Sequence, residues 1–90
     1  MVEVPRLLQE RGWSIRELAR RAEVTDAHLS RVLRRVNYKT PSGELARRVA
    51  VALELSNDYF PEYREAFVIE AVRRNARLRE DLYRKLRKRA

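Results

Sequence analysis

The chain lacks cysteine entirely and carries one histidine, two glycines, three prolines and one tryptophan among its 90 residues. Without cysteine neither a disulfide framework nor a thiolate metal site can form, and nothing argues for secretion. The lone histidine leaves no histidine-based metal cluster, so no metal is expected. Two glycines, Gly12 and Gly43, cannot build a phosphate-cradling loop, and no pair of carboxylates stands in a catalytic context. An enzyme is therefore not expected, and no cofactor is implied. No apolar run approaches the roughly 20 residues that span a bilayer. The opening Met-Val-Glu-Val-Pro has no charged-then-apolar leader pattern. The expected location is the cytoplasm, with no membrane partner.

What the chain has in excess is positive charge: 21 Lys and Arg against 13 Asp and Glu, for a net +8. That balance favours an anionic partner. Its distribution is uneven. Residues 71–90 hold nine cations and two acids, whereas residues 1–70 hold twelve and eleven. Within the nearly neutral part the signs separate. Arg31, Arg34, Arg35, Lys39, Arg47 and Arg48 face only Glu44 between 28 and 48, and then Glu54, Asp58, Glu62, Glu65 and Glu70 face only Arg64 between 49 and 70. One side attracts a polyanion and the other repels it.

Apolar residues at 15, 18, 19 and 22, and again at 29, 32, 33 and 36, follow the spacing of one buried helix face. Two short amphipathic helices joined by about three residues are thus expected over Ser14 to Val36, with Ala19 and Ala22 small enough for a close crossing. Ser14 caps the earlier one, with Glu17 at capping-box spacing, and Thr25 caps the later one. A first helix is expected from Pro5 to about Arg11, ended by Gly12. A fourth follows its cap Ser42, with Leu45, Val49, Ala52 and Leu53 inward. Ser56 to Phe60 reads as a single turn that drops Phe60 onto the core and is closed by Pro61. Beyond it, Tyr63, Phe67, Val68, Ala71 and Val72 make one apolar face. Leu78, Leu82, Tyr83 and Leu86 make another, either on one helix over 62–88 or on two, with Asn75 capping the second. The fold class is all-α, organised as a 1–60 helix-turn-helix unit and a basic 61–90 helical extension.

Leu18-Ala19, Ala22, Val24-Thr25, Leu29-Ser30-Arg31-Val32, Thr40-Pro41-Ser42 and Ala50-Val51-Ala52-Leu53 form one pattern. In that pattern the chain resembles the Cro/phage-repressor (XRE) helix-turn-helix family, over roughly Val4 to Phe60. The resemblance implies a five-helix domain, here with one or two additional C-terminal helices, whose third helix enters the major groove, and dimers on palindromic operators with half-sites roughly 34 Å apart. Three positions depart from the family pattern. Glu23 replaces a glycine at the left-handed turn position, Ile15 replaces a glutamine that meets DNA, and Arg34-Arg35 stand where a glycine often ends the helix.

A third helix over about 26–36 leaves Asp26, Ala27, Ser30, Arg31 and Arg34 facing outward. Arg31 can fork onto guanine O6 and N7, Ala27 can touch a thymine methyl, and Ser30 can reach a base or a phosphate. Asp26 can accept from cytosine or merely complement the positive helix end. Backbone contacts are expected from Ser14 at its helix N-terminus, flanked by Arg11 and Arg16, and from His28 at the edge of the reading face. Asn37, Tyr38, Lys39 and Thr40 supply donors on the far side. Trp13 is read as core. These residues point to a sequence-specific regulator of double-stranded DNA, of repressor type and dimeric. The competing reading is an antitoxin or adaptor whose 62–88 segment binds another protein.

Overall fold

The computed structural model describes residues 1–34 and 41–89. Among the described residues six helices follow one another: α1 (Val4–Arg11), α2 (Ile15–Ala22), α3 (Asp26–Leu33), α4 (Gly43–Ala52), α5 (Pro61–Arg74) and α6 (Ala76–Arg89). There is no strand among the described residues.

Each short helix starts where a hydroxyl can take an orphan amide. Ser14 Oγ accepts from Glu17 N–H at 3.1 Å, Thr25 Oγ1 from His28 N–H at 3.1 Å, and Ser42 Oγ from Leu45 N–H at 3.1 Å. Gly12 ends α1 at φ 68°, and a Cβ there would meet nothing. The dihedral, not crowding, is what calls for glycine at this position. Glu23 ends α2 in the same left-handed region, at φ 59° and ψ 42°, as the missing family glycine leads one to expect. Its neighbour Val24 donates back to Ala19 O at 3.0 Å, which closes the Schellman pattern.

The core is the meeting place of α1, α2, α3 and α4. Leu18, Leu29, Ala46, Val49, Ala50 and Leu53 are fully buried, and Phe60 is buried beside them. Ala19 and Ala22 are buried too, and α2 packs on both α3 and α4 through this small-residue side. Of the expected α3 face only Leu29 is fully buried; Val32 and Leu33 are half-buried and lean on the core. Val36 lies outside the described residues. Trp13 packs on the edge of the core under Arg21, whose guanidinium carbon sits 4.0 Å from the ring centroid.

Two boundaries differ from the sequence expectation. The third helix ends at Leu33 rather than near Val36, with Arg34 (φ −85°, ψ −3°) donating its N–H to Ser30 O at 3.0 Å. Apolar periodicity marks which face is buried and not where the backbone leaves helical geometry. Pro61 does not close an element but opens α5, because its missing N–H is harmless in a first turn.

The break at Asn75 (φ −120°, ψ 98°) separates α5 from α6. Asn75 Oδ1 accepts from Leu78 N–H at 3.0 Å, so the predicted cap of a separate helix is present. α5 packs on α4, and α6 leads on from α5 across Asn75. The α4–α5 approach is close at one point: a Cβ on Gly43 would lie 2.8 Å from Ala66 Cβ.

Candidate nucleic-acid interface

The outward face of α3 is built by elimination. Leu29, Val32 and Leu33 turn inward, which leaves Ala27, Ser30, Arg31 and Arg34 along one helical side, with Asp26 at its start. Asp26, Ala27, Arg31 and Arg34 are exposed and Ser30 is half-exposed, so none of the five expected reading residues is sealed in the interior. Arg31 Nε lies 3.4 Å from Ala27 O, one turn back on its own helix, and the rest of the guanidinium reaches solvent. Arg34 makes no ion pair among the described residues.

Asp26 is arranged around the helix end. Its Oδ1 accepts from Ala27 N–H at 2.9 Å, and Oδ2 stands 3.8 Å from Arg16 Nε. The Arg16 contact links the first turn of α2 to the first turn of α3. Between them lies a shallow groove of about 320 Å³ lined by Ile15, Arg16, Asp26, Ala27 and Ser30. The structure thus brings Arg16 together with three of the reading residues. Ile15 belongs to this groove as well, half-buried against the core yet facing the outer surface. The two sequence readings of Ile15, on a buried helix face and at the position of a family glutamine that meets DNA, thus fall on one side chain. An apolar side chain here offers van der Waals contact in place of the polar one that a glutamine would make.

Ser14 is exposed at the start of α2, its oxygen engaged by Glu17 N–H and its own O–H still available to donate. The reciprocal half of the capping box is absent from the hydrogen bonds of the described residues. Instead the Glu17 carboxylate turns along the helix to Arg20 (2.6 Å) and Arg21 (2.7 Å). Three charge-assisted bonds, two of them from Arg20, outweigh one to a backbone amide. These guanidiniums hold the Glu17 carboxyl well below its ordinary value, at about 2. Glu44 is held at about 2 in the same way by Arg47 and Arg48. Part of the positive stripe between 28 and 48 is therefore neutralised in place.

Arg11 stands apart from the groove. It is half-buried and donates to Leu7 O at 3.2 Å and Leu53 O at 2.9 Å, tying the C-terminal ends of α1 and α4 together. His28 is exposed on the first turn of α3. Asn37, Tyr38, Lys39 and Thr40 lie outside the described residues. Among the described residues no group of acids and His28 has the arrangement of a metal site, and no helix is long and apolar enough to cross a membrane.

With this geometry in view, the sequence matches a family model described as helix-turn-helix (HTH_3) over residues 6–60, well over half of the chain. No curated protein and no solved structure is matched.

Proposed function

This chain belongs to the XRE-type helix-turn-helix family of DNA-binding regulators, and from that premise we propose that it is a sequence-specific repressor of transcription acting in the cytoplasm. In this reading α3 lies in the major groove, and Ala27, Ser30, Arg31 and Arg34 meet base edges, with Asp26 at the margin. Ser14, Arg16 and His28 meet phosphates, joined by Asn37, Tyr38, Lys39 and Thr40 of the following loop. Arg11 contributes least, because two backbone carbonyls already hold its guanidinium. Residues 1–60 form the reading unit and 61–90 an extension that joins two copies on a palindromic site.

The observation that supports this most is the exposed, doubly braced α3: capped by Thr25 at one end, packed through Leu29 on the core, and leaving Arg31 in solvent. Phosphate contacts supply affinity and base contacts supply choice, so the two separate experimentally. Binding sites are first selected from random duplex DNA and read for motif and symmetry. Arg31→Ala should then weaken binding to the selected site by about 1–3 kcal/mol while hardly changing binding to unrelated duplex. Lys39→Ala should weaken both and lower the salt slope by about one unit or less. Equal losses on all DNA for both variants would remove α3 as the reader.

A second reading, an antitoxin or adaptor, draws support from the exposed Phe67, Val68, Tyr83 and Leu86. It requires a protein partner still captured after Arg31 and Arg34 are replaced, and lost on deletion of residues 76–90.

A further inference from the structure

Six of the eight exposed large apolar side chains among the described residues lie on α5 and α6: Phe67 (65%), Val68 (56%), Ile69 (43%), Leu78 (37%), Tyr83 (59%) and Leu86 (62%). No residue of α6 is buried, and a 14-residue helix with its apolar side in water is marginal in isolation. A groove of about 540 Å³ opens beside Phe67 and Val68, walled by Tyr63, Asn57, Asp58 and Arg64. Arg64 donates to the carbonyls of Asp58 and Tyr59 at 2.9 and 3.0 Å, which fixes its position but leaves its positive charge, so Asp58 and Glu65 outnumber it by one at this end. Asp58 borders the groove, and Glu65 stands at helical spacing between Val68 and Ile69. Neither carboxylate is in an ion pair among the described residues.

The side chains that fit this groove are on α6. Helical spacing places Leu78, Leu82 and Leu86 in one stripe with Tyr83 beside it, Lys85 at its border and Arg89 continuing it at the C-terminal end. The chain's own α6 cannot fold back over α5, because antiparallel helices need a loop of about 2–5 residues and Asn75 alone separates these two. A second copy has no such restriction. Pairing α6 with α6 of another copy would oppose two strongly cationic helices, whereas pairing α6 with the other copy's α5 sets cations against Asp58 and Glu65. Two-fold symmetry makes that contact twice.

We propose that two copies of this chain exchange their C-terminal helices, α6 of each lying along the Tyr63–Phe67–Val68 groove of the other. The proposal rests on the reading of the protein as a dimeric regulator and names the surface that joins it.

Sedimentation equilibrium of the full chain should give twice the 10.8 kDa monomer mass, with dissociation promoted by salt. Asp58→Lys with Glu65→Lys, and separately Lys85→Glu with Arg89→Glu, should each raise the dimer dissociation constant by about tenfold or more, since like charges then face each other. An equimolar mixture of the two variants should restore a heterodimer, because both contacts again pair opposite signs. Circular dichroism confirming helicity in each variant excludes unfolding as the cause. A monomer at every concentration, a dimer indifferent to the Asp58/Glu65 pair, or a mixture that stays monomeric would overturn the exchange. So would a monomer that binds phosphatidylserine vesicles through α6. Loss of Arg31-dependent sequence choice with an intact dimer would instead overturn the DNA reading alone.

Discussion

Glu23 shows how a single side chain can sit at odds with its backbone. An L-residue in the left-handed region costs on the order of 1 kcal/mol relative to glycine, and Glu23 holds φ 59° at the turn between α2 and α3. Glu23→Gly should therefore stabilise the protein by about 0.5–1 kcal/mol, raising the melting midpoint by several degrees at the usual ~4–8 °C per kcal/mol for domains this small. The Arg48 Nη1 contact to Glu23 O, at 3.3 Å, is to the backbone and survives the change. A calorimetric midpoint equal to or below the parent's would show that the Glu23 side chain has a compensating role. This position was legible in the sequence because the family pattern marks it. Glu54, at φ 61°, had no such marker and was not foreseen. What holds Arg11 was not legible for a related reason: its partner Leu53 O is 42 residues away, and a carbonyl leaves no trace in side-chain identity.

Among elements, the caps were the most readable features. Ser14, Thr25, Ser42 and Asn75 each hold the amide that local chemistry assigns them, because capping depends on three residues and little else. Helix contacts between distant segments were not readable. Nothing in the sequence marks Gly43 for a packing role, yet α4 and α5 approach so closely there that a Cβ would lie 2.8 Å from Ala66 Cβ. Gly43→Ala gains helix propensity but pushes two rigid atoms together, and overpacking of this kind costs about 1–3 kcal/mol. The expected result is a net loss of stability in urea denaturation, recovered by combining Gly43→Ala with Ala66→Gly. A stabilised single variant would mean that α5 is free to shift on α4. The α5 face was read correctly as apolar, but whether it stays exposed was not legible: periodicity reports which residues share a side, not whether anything covers it.

At the scale of the whole molecule two properties stand out, charge and shape. Glu17 and Glu44 ionise near 2 rather than their ordinary 4.5 because paired arginines bond the carboxylate form. A depressed folded-state value means stability that is complete above about 4.5 and lost as the pH falls through about 2. Thermal midpoints taken between pH 6 and pH 2 should fall over that window, and Glu17→Gln with Glu44→Gln should flatten the decline. An unchanged slope in the double variant would show that these pairs do not survive in solution. The radius of gyration, 15.9 Å, exceeds the roughly 12 Å of a compact 90-residue domain because α6 stands away from the core.

That projection is governed by one residue. Asn75 is the single extended link between two rigid rods, and its dihedrals (φ −120°, ψ 98°) set the angle at which the outer rod leaves the inner one. The direction in which the cationic arm points is thus set by the backbone at one locus, so insertions and deletions at 75 re-aim it while every surface on both helices keeps its chemistry.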